Sequence, residues 1–213
     1  MKLLIFDLDG TLVNSLDDLA DAANHALNMF GYPVHEVEKY KYFVGDGIPK
    51  LVERILPENQ RSEKNIADVK AEFDSYYMKH YLDKTVPYEG IVSLISQLKN
   101  DGCKLAVATN KPDEFAQTIV SSLFGDVFDV VIGKRDGADK KPSPGIIFEI
   151  IDKLSCDKNN TVMIGDSNVD MFTAENAGIS SIGCLWGFRT SDELTEAGAD
   201  HLAVSPIEIL KYV

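Results

Sequence analysis

The sequence predicts an α/β protein: a doubly wound parallel sheet, interrupted after its first strand by a small all-helical insertion. Three observations carry this expectation. From about residue 87 onward, short apolar runs alternate with amphipathic helical stretches, as in successive strand–helix units of a parallel sheet. Residues 14–84 show helical spacing without a strand pattern. The chain opens on Leu3-Leu4-Ile5-Phe6, an unbroken apolar run of the kind a strand buried on both faces needs.

The elements follow in order. A strand covers about Lys2–Phe6. Asn14 or Ser15 offers a helix cap, and Asp17 and Asp18 suit the first-turn dipole. Leu16, Leu19, Ala23, Ala26, Leu27 and Phe30 then recur at helical spacing, ended by Gly31. A second helix spans Ile48 to Leu56 before Pro57, and a third runs from the Ser62 cap to about Leu82. Helices are expected at Ile91–Asn100, Glu114–Leu123, Gly145–Leu154, Met171–Ala177, Ser191–Ala197 and Pro206–Tyr212. Strands are expected at 104–108, 127–132, 161–164, 181–185 and 201–204. The connections near Leu12–Ser15 and Asp83–Pro87 are expected to act as hinges of an inserted lid that excludes water.

Composition bounds the partners. A net charge of −13 over 213 residues argues against nucleic acid and anionic membrane surfaces. It does not argue against a small phosphorylated metabolite, because one lysine and a metal reverse the field locally. The three cysteines, Cys103, Cys156 and Cys184, are scattered and form no metal-binding spacing, as expected of free thiols in a reducing cytoplasm. No apolar run reaches transmembrane length. A cytoplasmic monomer or homodimer is the expectation.

The chemistry gathers at strand ends. Asp7-Leu8-Asp9-Gly10-Thr11 follows the first strand, at the carboxyl edge where open α/β sheets bind ligands. Alternation lets Asp7 and Asp9 share one side, and Gly10 permits a sharp turn. A carboxylate pair beside exposed amides suits a metal ion and a phosphoryl group. A lone Asp-Gly would be a turn; the whole string argues for chemistry. Thr109-Asn110 ends a second strand, where a helix cap is the plainer reading. Lys141 stands before Pro142, which fixes a turn and aims it; an isolated lysine is ordinarily solvated surface. Gly165-Asp166-Ser167-Asn168-Val169-Asp170 ends a third strand, and Asp170 also suits first-turn helix electrostatics.

Taken in this order, the four motifs resemble those of the haloacid dehalogenase superfamily, and the match spans the whole chain. The resemblance implies a Rossmann-like core of residues 1–13 and 86–213, with a helical cap at 14–85. It implies Asp7 as a nucleophile forming an aspartyl-phosphate, and Asp9 as the acid for the leaving oxygen and then the base for water. Thr109 and Lys141 would hold phosphoryl oxygens, with Gly10 and Asn110 supporting. Mg²⁺ would be bound by Asp7, the Asp9 backbone carbonyl and Asp166, with Asp170 supporting the metal or Lys141. An acid at position 9 points to a phosphatase or phosphomutase rather than a dehalogenase or phosphonatase.

Residues 7–15, the string Phe43-Val44-Gly45-Asp46-Gly47-Ile48-Pro49-Lys50-Leu51-Val52-Glu53-Arg54, and Pro87-Tyr88-Glu89-Gly90 are similar to the phosphoglycolate phosphatase branch. Asn14 stands where Asp is more usual, and Pro144-Gly145 where an acid is expected. In the cap, Gly45, Asp46, Gly47 and Lys50 would receive a second anionic group such as a carboxylate, unless Gly-Asp-Gly is merely a tight loop. Trp186 is expected to pack rather than touch substrate. The resemblance also leaves room for a pyrophosphatase, a nucleotidase, a sugar-phosphate phosphatase or a beta-phosphoglucomutase-like mutase. A receiver-type phosphoacceptor module is the alternative from another class, but it is shorter and lacks the insertion.

Overall fold

The computed structural model describes residues 2–213. In chain order the elements are β1 (Leu3–Phe6), β2 (Val13–Asn14), α1 (Leu16–Met29), α2 (Tyr40–Phe43), α3 (Ile48–Ile55), α4 (Glu63–His80) and β3 (Val86–Pro87). Then follow α5 (Ile91–Asn100), β4 (Lys104–Pro112), α6 (Asp113–Phe124), β5 (Val130–Lys134), α7 (Gly145–Leu154) and β6 (Thr161–Gly165). The chain ends with α8 (Asn168–Ala177), β7 (Ser180–Cys184), α9 (Ser191–Glu196), β8 (His201–Ala203) and a 3₁₀ turn at Pro206–Lys211. The chain forms two compact units, one from the segments up to Asn14 and from Pro87 to Val213, the other from Ser15–Val86.

The first unit is a six-stranded sheet in the order β5-β4-β1-β6-β7-β8, with every pairing parallel. β1 lies centrally and is fully buried, which is why its sequence does not alternate. Its alternate side chains nevertheless serve different faces. Leu3 and Ile5 join Ala106, Ala108, Ile132 and Met163 in one cluster with Ile146, Ile147 and Ile150 of α7 and Ala174 and Ala177 of α8. Burying each leucine, isoleucine or methionine of this cluster stabilises the layer by about 1.5–3 kcal/mol.

Several elements differ from expectation. Val13–Asn14 and Val86–Pro87 form a two-stranded ladder where no strand was expected; strands of two residues carry no readable period. α2 and the 3₁₀ turn at Val37–Lys39 are likewise too short to show one. β4 runs on to Pro112 and α6 begins at Asp113, so Thr109 is not a helix cap. β5 starts at Val130 rather than 127. α8 starts at Asn168, earlier than Met171, because Ser167 and Asp170 cap it: the Asp170 Oδ2 accepts from the Ser167 amide at 3.1 Å and hydroxyl at 2.6 Å.

In the second unit, α1 buries Leu16, Leu19, Ala23, Ala26 and Leu27, and α4 buries Val69, Phe73 and Tyr77. Ser62 caps α4 by accepting from the Asn65 amide at 3.2 Å. Ser15 occupies the N-cap of α1 without a side-chain capping bond. Asp18 is more than a first-turn charge. It is 2% exposed and accepts from the Thr85 amide (2.8 Å), the Thr85 hydroxyl (2.7 Å) and the Lys84 amide (3.0 Å). A buried carboxylate is stable only when so paired, so Asp18 fixes the returning segment to α1. Among the described residues no helix is long and apolar enough to cross a membrane.

Candidate active site

The sheet order brings the site together. β1 pairs with β4 on one side and β6 on the other, with Phe6 level with Val107 and Ile164. Asp7 follows β1, and its amide donates to the Ile164 carbonyl at 2.9 Å. Thr109 and Asp166 lie just beyond this level on the flanking chains. Three segments far apart in sequence therefore deliver their polar residues to one edge, the carboxyl end of a parallel sheet.

The loop after β1 is tight. The Thr11, Leu12 and Val13 amides all donate to the Leu8 carbonyl, at 3.3, 3.0 and 3.0 Å. Gly10 sits at φ 86°, a backbone conformation that suits glycine, and a Cβ there would lie 2.3 Å from Asp166 Oδ2. Asp166 is 1% exposed. Its Oδ1 accepts from the Thr11 hydroxyl at 2.9 Å and its Oδ2 from the Phe188 amide at 2.8 Å. Trp186 donates from Nε1 to the Thr11 carbonyl at 2.9 Å; it braces the loop, in keeping with a packing role.

Lys141 is the central cation. Its side chain is 1% exposed, and its Nζ lies 3.0 Å from Asp7 Oδ1 and 2.6 Å from Asp170 Oδ1. It also donates to the Ala108 carbonyl at 2.9 Å. Asn110 holds the backbone on which Lys141 sits: Asn110 Oδ1 accepts from the Lys141 amide (2.8 Å), and Nδ2 donates to its carbonyl (3.1 Å). Asp170, 0% exposed, spends Oδ1 on Lys141 and Oδ2 on Ser167. Asp7 Oδ1 takes Lys141 and the Leu8 amide at 2.7 Å. No donor among the described residues is recorded for Asp7 Oδ2.

Protonation equilibria record the crowding of acids. Burial, then the Asp170 charge, raises Asp7 to about 7 against the pull of Lys141. Burial, then Asp170 and Asp7, raises Asp166 to about 8. Burial lowers Lys141, but Asp170 and Asp7 outweigh it and hold the ammonium protonated well above its usual range. The Cys184 thiol is fully buried, and burial and the same acids push it far up, which disfavours the thiolate.

The donor set fits a hard divalent cation. Ligand atoms of Asp7, Asp166 and Asp170 lie within 4.8 Å of one another. When all three carboxylates are ionised they exceed the one ammonium they surround by two negative charges, a deficit that a divalent cation would fill with oxygen ligands. Asp166 accepts from Thr11 and Phe188, and Asp170 from Lys141 and Ser167, so each already spends one lone pair of both oxygens and could offer another to a cation.

Lys111 carried no expectation. It is buried, and its Nζ donates to both oxygens of Asp9 at 3.0 and 3.1 Å. A lysine two residues after Thr109 reads as surface until the strand order is known. The cap candidates lie in the second unit. Gly47 is the N-cap of α3. Asp46 is ion-paired with Arg54, which also donates to the Phe43 carbonyl at 3.0 Å. Lys50 is held by both oxygens of Glu53, at 2.9 and 2.8 Å. The Gly45–Gly47 loop is thus stapled by Arg54, which the sequence did not single out.

An α/β core with carboxylates at the ends of adjacent parallel strands and two buried lysines, Lys141 and Lys111, defines a phosphoryl-handling site. Residues 4–184 match the model of the haloacid dehalogenase-like hydrolases, and the chain belongs to that family. It is 34% identical over 203 residues to the phosphoglycolate phosphatase of Psychrobacter arcticus, covering 92% of this chain and 88% of that one. It is 36% identical over 204 residues to that of Neisseria meningitidis, covering 93% and 86%. A crystal structure from Lactobacillus delbrueckii subsp. bulgaricus superposes with a TM-score of 0.95 at 32% identity, over 100% of this chain and 98% of that one. CbbY from Rhodobacter sphaeroides, solved with phosphate bound, superposes at 0.80 with 26% identity, over 98% and 96%.

Proposed function

We propose that this chain is a Mg²⁺-dependent phosphoric monoester hydrolase acting through an aspartyl-phosphate on Asp7, with 2-phosphoglycolate as substrate. The observation that carries the chemistry is the buried Asp7–Lys141–Asp170 chain, set beside Asp166 at the carboxyl edge of the sheet. The substrate is supported by the names of relatives similar over nearly the full chain.

Asp7 Oδ2 attacks phosphorus, while Lys141 fixes Oδ1 and so orients the attack. Lys141 and Thr109 hold phosphoryl oxygens, and the ammonium offsets charge that a pair of aspartates would otherwise repel. Asp9 gives a proton to the leaving oxygen, then takes one from the water that cleaves the aspartyl-phosphate. Asp170 keeps Lys141 charged and in place. Mg²⁺, bound through Asp7, the Asp9 carbonyl and Asp166, would neutralise phosphoryl charge. In the second unit, Lys50 is the candidate for the substrate carboxylate, by exchanging its Glu53 partner.

The test is phosphate release across small phosphorylated metabolites, 2-phosphoglycolate included, by wild type and Asp7→Asn. The expected result is turnover by wild type with 2-phosphoglycolate foremost, and none by the variant. Turnover by Asp7→Asn near the wild-type rate would overturn the mechanism; preference for another metabolite would overturn the substrate.

A further inference from the structure

The mechanism above leaves Lys111 without a task. Its side chain is 3% exposed, and Lys almost never buries so completely without a partner. It reaches both carboxylate oxygens of Asp9, at 3.0 and 3.1 Å. Asp9 itself is 14% exposed at the side chain. The loop from Leu8 to Val13 is tied by its own amides, so the Asp9 backbone is fixed, yet those bonds do nothing to choose the Asp9 rotamer. Lys111 does: two bonds from one ammonium restrain both side-chain torsions.

Lys111 is itself well anchored. It sits in β4, next to β1, and its amide donates to Thr109 Oγ1 at 3.2 Å. Desolvating an ammonium is costly, and an apolar residue of similar volume generally serves stability as well or better. The pair is therefore poorly explained as a device for stability, and it falls on the one residue that must transfer protons in both chemical steps.

We propose that Lys111 is a positioning residue that holds the Asp9 carboxyl group where it meets the leaving oxygen and then the attacking water. The inference rests on the proposed acid–base role of Asp9. In the first step a bond forms between Asp7 Oδ2 and phosphorus, the bond from phosphorus to the leaving oxygen breaks, and the Asp9 proton goes to that oxygen. In the second, water attacks phosphorus, its proton goes to Asp9, and the phosphorus–Asp7 bond breaks. Holding both oxygens keeps the group oriented throughout: when one oxygen carries the proton, the other still accepts from Lys111. Effects of such orientation on proton transfer are large, because general acid–base catalysis contributes about 100-fold or more and depends on hydrogen-bond reach.

The experiment compares Lys111→Met, Lys111→Arg and Asp9→Asn with wild type, on 2-phosphoglycolate and on a series of aryl phosphates whose leaving groups span a range of acidity. A good aryl leaving group departs without a proton, whereas an alkoxide does not. For Lys111→Met we expect kcat/KM to fall about 100-fold with 2-phosphoglycolate and less than about 5-fold with 4-nitrophenyl phosphate. The dependence of kcat/KM on leaving-group acidity steepens. Because the second step still needs the base, kcat for 4-nitrophenyl phosphate falls and a burst of nitrophenol appears. Lys111→Arg restores part of the loss. The slope compares substrates on one preparation, so a variant that folds only in part still reports it. Equal losses in kcat/KM on all substrates, or a rise in KM alone, would overturn the positioning role. Asp9→Asn separates the two failures: if it too shows no leaving-group dependence, the role of Asp9 is wrong; if it does and Lys111→Met does not, the inference about Lys111 is wrong.

Discussion

Lys141 and Asp170 meet at 2.6 Å with side chains 1% and 0% exposed, and the same ammonium lies 3.0 Å from Asp7. One lysine is thus shared between the proposed nucleophile and a carboxylate that also caps α8. Gly165 makes the approach possible: a Cβ there would fall 2.3 Å from the Asp170 side chain. The contact ties the start of a helix to the reacting edge of the sheet, and its loss has both structural and chemical consequences.

Lys141→Met is expected to cost about 3–5 kcal/mol, the usual penalty for leaving buried charge unpaired, and to lower kcat by about 100-fold or more. Asp170→Asn leaves Lys141 with Asp7 and is expected to cost less stability. Urea unfolding with phosphate-release kinetics checks both, and a Lys141→Met protein as stable as wild type would contradict the pairing.

Removing divalent cations with a chelator is expected to abolish phosphate release, and adding Mg²⁺ to restore it. Asp166→Asn should raise the Mg²⁺ concentration for half-maximal activity by about 10–100-fold, with circular dichroism unchanged. Full activity in chelator would sink the metal assignment.

Gly187→Ala is expected to displace Asp166, since a Cβ at that position would lie 2.3 Å from Asp166 Cβ and 2.4 Å from the Gly10 carbonyl. Asp166 Cβ and the Gly10 carbonyl do not move with a side-chain rotamer, so the backbone itself would have to shift. A loss of about 1–3 kcal/mol in stability and weaker Mg²⁺ activation should appear together in melting and titration experiments.

Away from the site, Asp129 accepts from Lys99 Nζ, Lys104 Nζ and the Leu105 amide, each at 2.9 Å. Burial alone would raise its pKa, but these three donors outweigh burial and lower it from 3.8 to about 2. A depressed carboxylate contributes stability that is complete above its unfolded value, and that is lost as pH falls through the folded one. Unfolding free energy should therefore decline from about pH 4 to pH 2, and Asp129→Asn should be less stable at neutral pH with a shallower decline in that window. An unchanged acid limb in the variant would exclude Asp129 as a contributor.

Lys50→Ala is expected to lower kcat/KM for 2-phosphoglycolate more than for an aryl phosphate with no second anionic group. The contrast would come from charge: Lys50 is paired with Glu53, and the proposed role has a substrate carboxylate take that partner's place. Equal losses on both substrates would mean that Lys50 does not read the distal group.

The element order was legible because each element rests on local spacing. β1 reads as a buried strand from four apolar residues, α5 and α7 from apolar positions at helical intervals with Gly102 and Pro144 near their ends, and α4 from its Ser62 cap. The pieces that went unread were short or depended on tertiary context. The Val13–Asn14 and Val86–Pro87 ladder offers two residues per strand, and Thr109 resembled a helix cap until β4 was seen to continue beneath it to Pro112.

Charge shows the boundary most clearly. The sequence by itself determined that Asp7, Thr109, Lys141 and Asp166 each stand at or near the carboxyl end of a strand or the start of a helix, because periodicity and turn residues fix such positions locally. It did not determine that Asp9 pairs with Lys111, Lys141 with Asp170, or Asp46 with Arg54. For the two core pairs, that was decided by the order β5-β4-β1-β6, which puts residues 102 and 29 positions apart within hydrogen-bond reach. Alternation along a strand says which face a side chain takes. Which strand lies beside it is set by the global burial of apolar surface, and only that arrangement decides whether a lysine stays in water or becomes the buried partner of a reacting carboxylate.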